Sequence, residues 1–198
     1  MAGVHTYKQL GRDVTIYAID HSVGVYGRNR MDDVQLIQIM INAYIDRKEE
    51  AYKDHPANDA RVVDDSGRTI DKLVVDGNCG SRTLAAIVAT QKSLNKWKGC
   101  AVDGQIDAID EGGLSQYNTR DLLGYAEERR GLAVVKKPVY NSQFNTMYVL
   151  AVATGAQPDR SDWDRFDLPE PLRSTLMRSI AESAARRARA AERASART

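Results

Sequence analysis

Residues 75–91 read VDGNCGSRTLAAIVATQ, and this stretch decides how the rest of the chain is organised. Asp76-Gly77 and Gly80 predict a tight turn, because glycine tolerates φ > 0 where other residues are strained. Ser81 is placed to cap a helix, its side-chain oxygen accepting from backbone NH groups that have no partner in the first turn. Leu84, Ile87 and Val88 supply a buried stripe at helical spacing. The expectation is a turn feeding a capped amphipathic helix that reaches about Asn95, with Gly99 beyond its end.

Upstream, Val34, Ile37, Ile41, Tyr44 and Ile45 recur at helical spacing, and Leu36 and Met40 widen the stripe. Asp32 followed by Gln35 is patterned like a capping box, so a helix is expected from about Asp33 to Arg47. Between the two helices, residues 49–72 are polar and contain Pro56, Asp64, Asp65 and Gly67. They predict a long connection with a short hairpin around residues 65–67. Residues 14–19, VTIYAI, are β-branched and aromatic and predict a strand, which a glycine-containing segment at residues 22–29 joins to the first helix.

Downstream, Val102-Asp-Gly104 repeats the VDG triplet 27 residues after the first and is read as a second turn of similar geometry. Asp103, Asp107 and Asp110 lack the order of a calcium loop, so turn residues and solvated acids are the preferred account and no metal is assigned. Asn118, Asp121, Leu122, Leu123 and Ala126, closed by Gly131, predict a third helix. Residues 132–140 and 147–153 have strand character and with residues 14–19 would complete a small antiparallel sheet; residues 147–153 fit a helix equally well. A last helix should begin near residues 169–171. Its narrow apolar face is Leu172, Leu176, Ile180 and Ala184, after which the chain is mostly Ala and Arg. With so little apolar surface that end should fray unless a partner covers it.

Composition sets the bounds. The 198 residues are 42% hydrophobic and 28% charged with a net charge of +1, an ordinary globular balance. The charge is unevenly placed. Residues 170–198 carry seven arginines against three glutamates, so that stretch is +4 and the remainder −3. Cys79 and Cys100 make neither a disulfide framework nor a zinc pattern, and Cys79 is read as a small packed thiol. The first twenty residues contain no apolar leader and no stretch is long enough to span a bilayer. The expectation is synthesis in the cytoplasm without a signal peptide, and no membrane partner.

The spelling of residues 75–91 resembles the peptidoglycan-binding domain family, whose signature is a VDG-x-x-G-x-x-T-x-x-A-I turn–helix ending in Gln. The likeness covers residues 23–95 and extends more weakly to 131. It is carried by Asp33, Val34, Ile37, Gln38, Asp76, Gly77, Gly80, Thr83, Ala86, Ile87 and Gln91. Departures are Thr90, where the family has an aromatic, Ser81, where it often has proline, and the long connection before the turn.

The resemblance implies a mainly α (α+β) chain: a three-helix peptidoglycan-binding-like domain with a small antiparallel sheet and a C-terminal helix. The segments expected are an N-terminal strand at 1–22, the helical domain at 23–131, a β-containing piece at 132–160 and a basic helical tail at 161–198. Asp33, Gln38, Asp76, Gly77, Gly80, Thr83, Ile87 and Gln91 would be scaffold. A glycan ligand needs exposed donors, acceptors and an aromatic platform, and Tyr26, Asn29, Asn78 and Arg82 are the nearest candidates, each also readable as an ordinary solvated residue.

Catalysis finds no pattern, since His5, His21 and His55 are scattered and no nucleophile motif is present, so neither an enzyme nor a cofactor is expected. The function expected is a non-catalytic wall-binding module of a phage particle or related injection assembly. A structural adaptor that reuses the fold without glycan is the alternative, and an accessory chain of a lytic hydrolase stands third. Other assembly proteins are the expected partners of the C-terminal helix, ahead of a solvated end and of nucleic acid.

Overall fold

The computed structural model describes residues 2–9, 12–51, 61–98, 100–109, 146–156, 168–170 and 172–195. In order they form β1 (Gly3–Gln9), β2 (Arg12–Ala18), β3 (Val23–Gly24), α1 (Met31–Ala51), α2 (Ser81–Lys98), β4 (Gln105–Ile106), α3 (Thr146–Thr154) and α4 (Leu172–Ser195). The fold is mixed α and β: four helices among the described residues, with β1–β2 and β3–β4 as two short antiparallel pairs.

α1 is the centre. Every residue from Asp32 to Ile41 is buried, and α1 touches α2, α3, α4 and β3. A helix buried on all sides needs apolar residues around its circumference, and Val34, Leu36, Ile37, Ile39, Met40 and Ile41 provide them. Each fully buried side chain of this kind contributes roughly 1.5–3 kcal/mol. Most buried polar groups have hydrogen-bond partners, although Gln35 Oε1 of this helix has none among the described residues. Asp33 accepts from the Asp20 amide (3.2 Å) and lies 3.3 Å from His21 Nδ1, which ties the end of the hairpin to the helix. Burial pushes the Asp33 carboxyl above its ordinary range.

β1 and β2 pair in register from Gly3↔Ala18 to Gln9↔Arg12. β1 packs on α4, and β2 packs on α3, where the Tyr17 amide donates to Ala156 O at 3.0 Å. Contact on two sides explains why Ile16, Tyr17, Ala18 and Ile19 are buried in succession rather than alternately. The β1 amide of Val4 donates to Ser179 Oγ of α4 (2.7 Å), and the Ala2 amide donates to Asp32 (3.1 Å). Buried residues from the hairpin and all four helices form one hydrophobic cluster.

Several expectations change. The strand at residues 14–19 forms, but its partner is the N-terminal β1, to which the sequence assigned no element. Residues 147–153 are helical within α3, so the described part of the 132–160 segment contains no strand. Met147, Val149, Leu150 and Ala151 are buried in the cluster, where a helix satisfies its own backbone hydrogen bonds without a neighbouring strand. The expected third helix of the domain, after Asn118, and the strand at 132–140 lie outside the described residues; the four helices among the described residues are the first two of those three, the expected C-terminal one, and α3.

Asp32 does not cap α1. The Val34 amide bonds to Arg30 O, which starts the helix earlier, and the Asp32 carboxylate holds Ala2 instead. Ser81 likewise sits one residue inside α2, because Leu84 bonds to Gly80 O. The hairpin near residue 65 is present as a Val63↔Thr69 bridge around an Asp64 turn. Ala184, expected on the apolar face of α4, is exposed.

Candidate functional site

Three glycine turns meet beside the N-terminal end of α1. The first is closed by Gln38 of α1. Its Nε2 donates to Asp76 Oδ1 (2.9 Å), Asn78 O (3.2 Å) and Thr83 Oγ1 (3.2 Å), while its Oε1 accepts from the Gly77 amide (3.0 Å). Asp76 also accepts from the Asn78 amide (2.8 Å), and the Thr83 hydroxyl donates to Asn78 O (3.0 Å). The Asn78 amide, then Gln38, hold the Asp76 carboxyl below its ordinary range. Gly77 has φ 75°, and a Cβ there would lie 2.6 Å from Met31 Cγ and 3.0 Å from Met31 O. Glycine is required on both counts.

The second turn repeats this chemistry. Gln91 of α2 donates to Asp103 Oδ1 (2.9 Å), Gln105 O (2.8 Å) and, at 3.5 Å, Thr146 Oγ1 of α3, and it accepts from the Gly104 amide (2.9 Å). Asp103 accepts from the Gln105 amide (2.9 Å), and Gly104 has φ 76°. The two clasps match atom for atom: glutamine to aspartate, to a turn carbonyl, to a threonine in the first turn of the next described helix, and from the glycine amide. The echoed VDG triplet therefore marks two turns of the same construction, the first clasped from α1 and the second from α2. It also accounts for Asp103, which is a turn brace.

The third turn, residues 22–29, lies against both. β3 pairs with β4 through Val23↔Ile106 and Gly24↔Gln105, and the Val25 amide donates to Gly104 O (3.1 Å). Cys79, half-buried beside the first clasp, is in hydrogen-bond contact with the Gly24 backbone; burial raises its thiol above the ordinary range. Burial pushes Cys100 up to about 11. Both thiols are therefore weak nucleophiles.

Of the four ligand candidates, Tyr26 is 87% exposed at the tip of this turn. Asn29 adopts φ 49° and its side chain faces inward: Oδ1 accepts from Gly24 N (2.8 Å), and Nδ2 donates to Gly24 O (3.0 Å) and Gly27 O (3.1 Å). Asn29 thus shapes the loop that carries Tyr26. Asn78 and Arg82 are exposed at the first turn and at the start of α2. Asp33, Thr83, Ile87 and Gln91 are buried scaffold, whereas a methyl group added at Gly80 would meet only open space.

The sequence reading missed a set of exposed apolar side chains on these same turns. Val25, Met31, Val74 (73% exposed) and Val102 stand within a few residues of the three glycine turns. It also missed Asn42, whose side chain accepts from Leu73 N (2.7 Å) and donates to Leu73 O (2.9 Å), fastening the approach to the first turn. The signal for Val74 and Val102 was their place just before a DG pair, which a strand reading would bury; Val25 and Met31 carried no such signal.

No cluster of His, Cys, Asp or Glu suited to a metal ion occurs among the described residues, and no described helix is long and apolar enough to cross a membrane. Comparison with family models, with curated proteins and with solved structures gives no match.

Proposed function

We propose that this chain is a non-catalytic binding module whose ligand surface is the face built by the three glycine turns, and that its ligand class is a peptidoglycan-type polymer of sugar and peptide. The observation that carries the reading is Tyr26. An aromatic side chain 87% exposed gains nothing from the core, yet its loop is pinned by three hydrogen bonds of the Asn29 side chain and by the backbone bonds Gly27 N to Gly24 O and Asn29 N to Ser22 O. A rigidly presented ring is what a sugar face stacks on, while Asn78 and Arg82 offer amide and guanidinium donors close in sequence to the first clasp. The family likeness of residues 75–91 supports the same ligand class. The setting proposed is a phage particle or related injection assembly, where such a module would meet the wall.

A second reading has its own support. Val25, Met31, Val74 and Val102 are apolar and exposed on the same turns, and exposed apolar surface marks protein contacts as readily as glycan contacts. On that reading the chain is a structural adaptor.

Retention on insoluble bacterial peptidoglycan separates the two. Wild type is expected in the pellet and Tyr26→Ala in the supernatant, with unchanged thermal unfolding because Tyr26 lies outside the core. A wild-type chain that stays in the supernatant removes the glycan reading and leaves the adaptor.

A further inference from the structure

α4 is two helices in one. From Leu172 to Ser183 it is docked: Leu172, Thr175, Leu176 and Ser183 are buried, Ile180 is partly buried, and Ser179 accepts from the β1 edge. From residue 184 to 195 every residue is exposed. The docked half supplies the nucleus, and alanine and arginine propagate the helix beyond it. At about 1.5 Å per residue the exposed half is about 18 Å long.

That half contains Arg186, Arg187, Arg189 and Arg193 against the single acid Glu192. None of the four arginines is in an ion pair among the described residues. Helical spacing sets Arg186, Arg189 and Arg193 along one flank, in line with Arg178, while Arg187 lies on the other side of the seam that continues the docked face. All the remaining residues of the exposed half are alanine or serine, apart from Glu192.

The composition discriminates between partners. A protein interface draws its affinity from a few buried aromatic or large aliphatic anchors, and every such residue of α4 lies before residue 184. A membrane-surface helix needs a Leu, Phe or Trp face to bury, and alanine offers none. A single-stranded nucleic acid is held largely by stacking on aromatic rings, which are absent here. Duplex nucleic acid requires none of these. Its affinity comes from counterion release as Arg groups neutralise phosphates, and its major groove admits an α-helix, the more easily when the side chains between the arginines are methyl groups.

We infer that the exposed half of α4, residues 184–195, is a binding helix for the phosphate backbone of duplex nucleic acid, with Arg186, Arg187, Arg189 and Arg193 as the contacting groups. The inference is independent of what the glycine-turn face binds.

The test is fluorescence anisotropy of the full chain with a labelled DNA duplex of mixed sequence, about 20 base pairs long, between about 50 and 200 mM NaCl. Four phosphate contacts give a log–log salt slope of about −3.6, so affinity should fall about 150-fold over that range. The variant with Arg186, Arg187, Arg189 and Arg193 all changed to Ala should lose binding by at least about 100-fold at the lowest salt, the four-contact contribution of the same relation. Its circular dichroism and Tm should match wild type, since alanine favours helix and the four side chains hold no ion pair among the described residues. The corresponding four-Lys variant should retain most of the affinity. Absence of duplex binding at the lowest salt, a slope near zero, or an unchanged four-Ala variant overturns the inference. So does retention on phosphatidylserine vesicles without duplex binding, or capture of an acidic protein without it.

Discussion

Gln38 reaches 38 residues along the chain to close the turn at Asp76, whereas Gln91 closes the turn at Asp103 only 12 residues on. The threonines are just as differently placed: Thr83 follows its turn directly in α2, while Thr146 opens α3 far downstream and is held more loosely, at 3.5 Å against 3.2 Å. The hydrogen bonds are nonetheless the same. A glutamine amide presents one acceptor and two donors in a fixed plane, and an Asp-Gly turn with φ near 75° offers the complementary amide, carboxylate and carbonyl. Side-chain geometry, and not the length of chain between the partners, makes these two turns alike. They differ in what lies against them: the first is backed by Met31 at the start of α1, the second by β3 and Val25.

The largest effect should come from breaking that backing. Gly77→Ala forces a methyl group into a left-handed conformation, at about 1–2 kcal/mol, and against Met31 O at 3.0 Å, at about 1–3 kcal/mol more for overpacking. At Gly104 the methyl would meet Val25 Cγ2 at 3.0 Å and Val88 Cγ2 at 3.4 Å, side-chain atoms that can yield, Val25 being exposed. Chemical denaturation should therefore show a larger loss for Gly77→Ala than for Gly104→Ala, for which about 1–2 kcal/mol is expected. Equal losses would mean that the two turns are interchangeable in packing as well as in hydrogen bonding.

Next come the clasps themselves. Gln38→Ala and Gln91→Ala each leave a buried glycine amide without its acceptor, at about 1–3 kcal/mol. The two losses should be similar, because the bonds removed are the same. Their reach should differ: with Gln38 gone, hydrogen exchange should quicken at Gly77 and Asn78, whereas with Gln91 gone it should quicken at Gly104 and Gln105. Exchange confined to one shared set of amides in both variants would sink the idea of two separate clasps.

Much of this was legible from residues 75–91, because the DG pair, Thr83 and the apolar stripe are local signals. α1 was legible for the same reason, its apolar residues recurring at helical spacing, although its early start was hidden by Asp32, whose carboxylate serves Ala2 thirty residues away. The equivalence of the clasps was not legible, since separations of 38 and 12 share no period. Nor was the fate of residues 147–153, an apolar run too short for periodicity to choose between helix and strand. β1 has no strong strand signature of its own; pairing with β2 and cover by α4 make it a strand. Within the site, Tyr26 and Arg82 were readable as exposed, but Asn29 was not readable as inward-facing, because that depends on a backbone bend at Gly24.

A pair of threonines sharpens the comparison between a satisfied and an unsatisfied group. The Thr83 hydroxyl is bonded to Asn78 O and Gln38, while Thr90 Oγ1, on the same helix and fully buried, has no partner among the described residues. Thr90 also stands where the resembled family has a ring, so the core tolerates it without using its oxygen. Replacing each by Val exchanges the hydroxyl for a methyl group of similar size. Thr83→Val should cost about 1 kcal/mol and Thr90→Val should be neutral or gain about 1 kcal/mol, which at this chain length moves Tm by about 2–4 °C per kcal/mol in opposite directions. A loss at Thr90 as large as at Thr83 would show that its oxygen is hydrated and structurally engaged.

The smallest expected effect separates the acids of the turns from the acid of the core. Asp64 accepts from the Ser66 hydroxyl (2.6 Å), the Ser66 amide (2.9 Å) and the Arg68 amide (2.9 Å), and these bonds, the Ser66 hydroxyl first, hold its carboxyl down to about 2. Asp76 is lowered in the same way, whereas Asp33 is raised by burial. A carboxyl lowered on folding stabilises the native turn at pH above the ordinary value of 3.8 and loses that contribution as pH falls toward the native value. A carboxyl raised by burial acts in the opposite sense: its penalty is present at neutral pH and is relieved as acid protonates it. Carboxyl carbon titration by NMR should accordingly find Asp64 and Asp76 still mostly ionised at pH 3.8 and Asp33 mostly protonated there. The Ser66 and Arg68 amides should keep their shifts until the pH approaches about 2, because the acceptor they share is lost only when Asp64 takes up its proton.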